Sequence, residues 1–202
     1  MSVKIIAEHL YIVLISVLAT IVVGLPLGIA AYMYRKISKT VLWLVDILQT
    51  MPALALLGLI MIVFGAGKLT VIIGLVLYSL LPVVHNTYLG LNNIDPAVKE
   101  AATGMGMGRF YRLVHVEMPI AFPVIFTGIR IATVTSIGVA VFATFVGGGG
   151  LGSAIYRSIH IQNLGLILSS TLSLMGMAVL FDGSMALIEK RLYNRRAAKT
   201  LH

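Results

Sequence analysis

Five stretches of this chain are long and apolar enough to cross a lipid bilayer: 10–34, 41–64, 69–91, 120–146 and 164–188. A hydrocarbon core of about 30 Å takes roughly 20 apolar residues in a helix. Within it every backbone N–H and C=O must find a partner inside the structure, which leaves helices as the natural spanning element for runs of this length. Composition agrees, with 59% hydrophobic and 11% charged residues against about 25% charged in a soluble domain. The expected fold is therefore an all-α integral membrane protein, one domain over 1–202 with five transmembrane helices. The first stretch does not read as a cleavable signal peptide, because it is too long and its basic cluster follows the apolar run.

The 15 Lys and Arg of the chain segregate between the loops. Arg35, Lys36 and Lys39, then Lys99, Arg109 and Arg112, then Lys190, Arg191, Arg195, Arg196 and Lys199 fall on one side. Lys4, Lys68 and Arg157 fall on the other, and Arg130 lies within a stretch. Basic residues concentrate on the cytoplasmic face, so the N-terminus is expected outside and the C-terminus in the cytoplasm. The net charge of +8 then reads as a topology signal with membrane lipid as a secondary partner, and no nucleic-acid partner is expected. With no cysteine, disulfides, thiol catalysis and cysteine metal sites are excluded.

Between the third and fourth stretches lies a polar, glycine-bearing island, 92–119, placed in the cytoplasm by the charge count. Asp95-Pro96 reads as a helix start, with Asp95 as N-cap and Pro96 at the first helical position. Val98, Ala101, Ala102 and Met105 recur at helical spacing as a small apolar stripe, with Lys99, Glu100 and Thr103 off it. Gly104, Gly106 and Gly108 either end the helix or let another backbone approach. Arg109, Phe110, Tyr111 and Arg112 open an amphipathic stretch that runs to Met118-Pro119. Such a segment is either a helical connector or a helix held along the membrane surface for another protein to grip.

The spacing of Glu100-Ala101-Ala102, Gly106, Val116, Met118 and Pro119 resembles the EAA motif of ATP-binding-cassette (ABC) importer permeases, with Val116 and Met118 where that family favours Ile and Leu. The resemblance covers nearly the whole chain, five spans matching the compact core that methionine-type importers also use. It implies that Glu100 to about Gly108 forms a coupling helix, with Ala101, Ala102, Gly104, Gly106, Arg109 and Pro119 among the coupling residues. That helix would dock on a separate ATPase subunit. The stretches 49–55, 86–90 and 147–152 look more particularly like permeases of osmoprotectant importers, which carry glycine betaine, carnitine or choline.

Nothing in the chain supplies energy. A P-loop needs G-x-x-x-x-G-K-[ST]; Gly67-Lys68 is a fragment of one, with Ile62 and Leu69 at the other required positions. Gly147, Gly149 and Gly152 satisfy G-x-G-x-x-G, but no strand precedes them, so a sharp external turn is expected. The histidines, His85 among them, show no metal-ligand pair at helical spacing, and no metal site or catalytic residue is expected.

Ionisable groups inside spans are costly and by default point to function. Arg130, Asp46 and Asp182 all favour the cytoplasmic half. Arg130 either snorkels and pairs with a carboxylate as structural glue, or latches to Asp46 or Asp182 as a gate. Pro52, Pro82 and Pro123 are expected to kink spans. For a quaternary ammonium, aromatic faces are the expected physics, with Tyr78, Phe142 and Phe145 as candidates for the path or, equally, for packing.

By resemblance, the chain is half of a transport pathway in a bacterial plasma membrane. Its partners would be a second permease chain, identical or paralogous, an ATPase dimer that binds ATP and Mg, and an extracytoplasmic binding protein. The chain itself needs no cofactor. The alternatives are a methionine or other amino-acid importer permease and, from another class, an ATPase-independent secondary transporter or channel. The latter would want ion-coupling carboxylates near the midplane and has no use for the island.

Overall fold

The computed structural model describes residues 3–200, with side chains described through Asn194; Arg195, Arg196 and Lys199 of the basic C-terminal group lie outside the described side chains. Among the described residues nine α-helices follow in order: α1 (Val3–Met33), α2 (Arg35–Thr50), α3 (Ala53–Phe64), α4 (Lys68–Asn92), α5 (Pro96–Gly104), α6 (Arg109–Arg112), α7 (Met118–Val139), α8 (Leu151–His160) and α9 (Leu164–Thr200). A π-helical turn, Leu113–Glu117, joins α6 to α7, and a 3-10 segment, Ala140–Val146, extends α7.

Among the described residues four helical segments are long and apolar enough to span a bilayer, or five if α2 and α3 together make one. The stretch 41–64 is where sequence and structure part. It is not a kinked helix: α2 and α3 meet at a bend of 102°. Pro52 lacks an N–H, and its ring forces Met51 out of helical conformation, to φ −74° and ψ 135°. Thr50 therefore closes one helix and Ala53 opens the next. The fourth stretch differs as well. Its helix begins at Arg109, so the amphipathic segment and the span are one rod.

The centre of the bundle is α4, which packs against α1, α2, α3 and α7. Close approach comes from glycine. A Cβ on Gly28 of α1 would sit 2.6 Å from Thr87 Cβ and 2.9 Å from the Val84 carbonyl oxygen. On α7, Gly128 presses against the Pro82 carbonyl and Asn86. Helices in lipid gain no hydrophobic driving force from meeting, so small residues that admit backbone contact set the crossings. The buried Ser79 and Ser136 hydroxyls add an α4–α7 hydrogen bond of 2.8 Å.

Among the described residues three apolar cores result. One holds Ile12, Val13, Leu57, Val71, Leu75, Ile137 and Leu151; a second, toward α5, holds Leu91, Ile94, Leu113, Ala121 and Ile125; a third, between α2 and α4, holds Val45, Leu80 and Val84. At the first end the Gly147–Gly150 turn uses left-handed backbone at Gly147, Gly149 and Gly150. The Glu8 carboxylate accepts from the Gly150 N–H at 3.2 Å and pairs with Lys68 at 2.7 Å. Glu8 thereby caps α8 from another helix. Gly152 lies against the Val141 carbonyl, so the glycines of this loop serve packing and turning.

Candidate functional site

The island folds as its local chemistry requires. Asp95 accepts a hydrogen bond from the Ala97 N–H at 2.9 Å, with Pro96 at the start of α5. At the other end the Gly106 N–H donates to the Thr103 carbonyl at 2.9 Å and the Met107 N–H to the Ala102 carbonyl at 3.1 Å. This pair of bonds is a Schellman cap, which needs left-handed backbone at its C′ position; Gly106 occupies it at φ +83°. The helix thus runs Pro96–Gly104, four residues earlier at each end than the expected Glu100 to Gly108, because the cap at Gly106 stops it before Gly108. Gly108 instead is the N-cap of α6.

The expected apolar stripe splits. Ala102 is buried and Val98 packs on the inner core, while Ala101 and Met105 face out. With Met105 70% and Phe110 72% exposed, and Tyr111 and Val114 also open, the segment presents an apolar rim. Beside it lies a shallow cleft of about 340 Å³ lined by Lys99, Glu100, Thr103, Gly104 and Arg112. Lys99 donates from Nζ to the Leu91 carbonyl at 2.9 Å and sits 5.1 Å over the Tyr32 ring. Arg109 donates to the Met33 carbonyl. Pro119 lies in the first turn of α7.

Arg130, within α7, is held by two carboxylates. Its Nε and Nη2 donate to Asp182 at 2.7 and 2.9 Å, and its Nη1 donates to Glu189 at 2.7 Å. Thr127 also donates to Glu189. A small cleft of about 230 Å³ opens beside Thr127, Arg130, Thr135 and Asp182. The alternative latch from Arg130 to Asp46 is not formed. Asp46 Oδ1 lies 3.0 Å from His85 Nε2, although that nitrogen lacks the alignment of a hydrogen bond. The bend at Pro52 makes α2 a separate helix packed on α4, which turns Asp46 toward His85.

Phe142 and Phe145 have ring centroids 6.4 Å apart, and Phe145 meets Tyr156 of α8 edge-on at 5.4 Å. Tyr78 lies half-buried on α4. Among the described residues no group of three His, Asp or Glu could hold a metal ion.

Three acidic residues take partners to which the sequence assigns no role: Glu8, Glu117 and Glu189. Glu189 lies seven residues after Asp182, two helical turns along one face, a spacing that was available to read. Glu117 had no such signal. It stands five residues after Arg112, which an α-helix would place on another face.

A bundle organised on one central helix, with a capped surface helix in the loop before its penultimate rod, defines the membrane subunit of a transporter. The fold is that found in the MetNI methionine ABC transporter in inward-facing conformations: TM-score 0.86, 23% identity, covering 95% of this chain and 99% of that one. The chain belongs to the family described as binding-protein-dependent transport system inner membrane component, whose profile matches residues 21–194. It is 42% identical over 186 residues to the glycine betaine/carnitine/choline transport system permease protein OpuCD of Bacillus subtilis, covering 92% of this chain and 81% of that protein. It is 39% identical to the carnitine transport permease protein OpuCD of Listeria monocytogenes (92% and 83%) and 37% identical to the osmoprotectant import permease protein OsmW of Salmonella typhimurium (87% and 84%).

Proposed function

We propose that this chain is the permease of an ATP-driven importer in a bacterial plasma membrane and that its cargo is a small quaternary-ammonium osmoprotectant: glycine betaine, carnitine or choline. The observation that carries the mechanism is α5. It is a capped helix with an exposed apolar rim, and it holds the Glu100-Ala101-Ala102 and Gly106 pattern of a helix that meets an ATPase. The printed functions of its relatives support the cargo.

In this reading the N-terminus is outside and the C-terminus cytoplasmic. Two such chains, identical or paralogous, enclose the pathway, and an extracytoplasmic binding protein delivers substrate. ATP and Mg are held by two ATPase subunits against which Glu100, Ala101, Gly104, Gly108 and Arg109 present. Closure of the ATPase dimer draws the two α5 helices together and opens the pathway outward; hydrolysis resets it. Arg130 joins α9 to α7 through Asp182 and Glu189 in the arrangement described, and its gate role is the release and re-formation of those pairs during the cycle. Phe142, Phe145 and Tyr78 offer aromatic faces to a passing cation.

The test is reconstitution with the cognate ATPase and binding protein. Uptake of labelled glycine betaine, carnitine and choline should exceed that of methionine, and methionine uptake alone would overturn the cargo. Glu100→Lys and Gly106→Asp should remove at least nine-tenths of the uptake with the chain still membrane-inserted. Full uptake in both would remove α5 from the mechanism.

A further inference from the structure

We propose that Arg112 and Glu117 form the joint through which a displacement of α5 reaches the membrane helices. This rests on the reading of α5 as the ATPase-contacting helix and adds the path by which its movement travels.

The need for a joint follows from the turn after α5. Gly104, Gly106 and Gly108 fall within five residues, and a Cβ at any of the three would meet nothing within 4 Å. No side chain braces the turn itself. Apart from it, α5 touches the inner core through Val98, beside Leu113 and Ala121, and the polar link to the rod is left to Arg112.

Arg112 bridges that turn. Its Nη1 donates to Thr103 Oγ1, in the last turn of α5, at 2.6 Å, and its Nε donates to Glu117 Oε1 at 2.7 Å. Thr103 Oγ1 spends its own proton on the Lys99 carbonyl at 2.7 Å, so its oxygen is oriented to accept from Arg112. The rigid guanidinium fork suits a contact with two acceptors at once. One arm reaches across the glycines to α5, and the other is held by Glu117 on the rod to which Arg112 itself belongs.

The π turn makes the second arm possible. Five residues of α-helix advance 140° past a full turn, placing residues 112 and 117 on different faces. Leu113–Glu117 adopts the wider i→i+5 turn, and such single turns recur at functional positions in helices. Here the turn brings Glu117 back beneath Arg112.

Glu117 has 1% of its side chain exposed, and the Tyr32 side chain of α1 lies against it. Tyr32 also carries the Lys99 ammonium, which reaches the last turn of α4 through the Leu91 carbonyl. The pair therefore stands where α1, α4, α5 and α7 meet. A buried carboxylate parted from its cation is strongly unfavourable, so Glu117 holds the Arg112 guanidinium fixed on its own rod, and the Arg112–Thr103 hydrogen bond then carries a displacement of α5 to α7.

The experiment uses the assembled complex in proteoliposomes, measuring co-purified ATPase subunit, ATP hydrolysis and uptake per ATP. Glu117→Met keeps the volume and removes the charge; Glu117→Asp keeps the charge. The expected result is normal assembly in both, hydrolysis within about twofold of the unaltered complex, and uptake per ATP lowered about tenfold in Glu117→Met. At least half of that loss should return in Glu117→Asp. Unchanged uptake per ATP in Glu117→Met would overturn the proposal. So would loss of assembly, because the pair would then serve docking and not transmission. If the unaltered chain does not co-purify with an ATPase subunit, the reading of α5 itself fails, and the two failures are separate observations.

Discussion

Helices α4 and α9 are both apolar enough to span a bilayer, yet half of the apolar window of α4 is buried in the bundle and only 11% of that of α9. The difference lies in the residues that let neighbours approach. At its crossing with α4, α1 presents Gly28, and at the other crossing α7 presents Gly128. Three helices thereby meet at backbone distance. Among the described residues α9 packs chiefly on α7 and α8 and turns Leu172, Val179, Leu180 and Leu187 outward. What holds its inner half to α7 is polar: Asp182 and Glu189 on one guanidinium. Hydropathy measures fitness for lipid, whereas small residues and ion pairs decide which helix is central and which peripheral.

The largest effect should come from breaking the centre. Gly28→Val inserts atoms where a Cβ already meets Thr87 at 2.6 Å, and overpacking of this kind costs about 1–3 kcal/mol or more. The detergent-purified chain should lose several degrees of melting temperature and most of its monodisperse yield. Unchanged stability would mean that the α1–α4 crossing is looser than described.

A smaller, more local effect is expected at the periphery. Arg130→Met leaves Asp182 and Glu189 facing each other without a cation, so α9 should loosen from α7 while α1, α4 and α7 stay packed. Limited proteolysis should cut between α8 and α9 faster, with little change in protection of the α1–α4 region. Equal loosening of both would dissolve the distinction between centre and rim.

The smallest effect is expected on the outer face of α9. Leu180, 73% exposed, should tolerate Ala within about 0.5 kcal/mol in melting of the single chain. The same substitution in the assembled complex sharpens the comparison. A drop there alone would mean that another chain covers α9, and no drop would leave that face to lipid.

What was legible depended on how far each signal reaches. Asp95-Pro96 was readable because a cap involves a few consecutive residues, whereas three glycines in alternation left open which one, Gly106, closes the helix. The break at Met51-Pro52 was not readable, because a hydropathy average runs through a proline without noticing that two helices leave it at 102°. For the same reason Asp46 and Asp182 stood as alternatives for Arg130 until the helix crossings placed Asp182 there. Asp182 and Glu189 stand two turns apart and could have been read together, but nothing local marks the π turn that returns Glu117 to Arg112.

The sequence by itself determined that this chain lives in a membrane, that a capped helix interrupts it after Asp95, and that its loop pattern is that of an importer permease. These follow from run length, capping chemistry and motif spacing, all of which act over short distances along the chain. Only the tertiary structure decided that α4 is central, that Arg130 takes Asp182 and Glu189 and leaves Asp46 to His85, and that Arg112 ties α5 to α7. Those outcomes depend on where helices cross. The crossings are set by backbone contacts at a few glycines with partners more than 40 residues away along the chain.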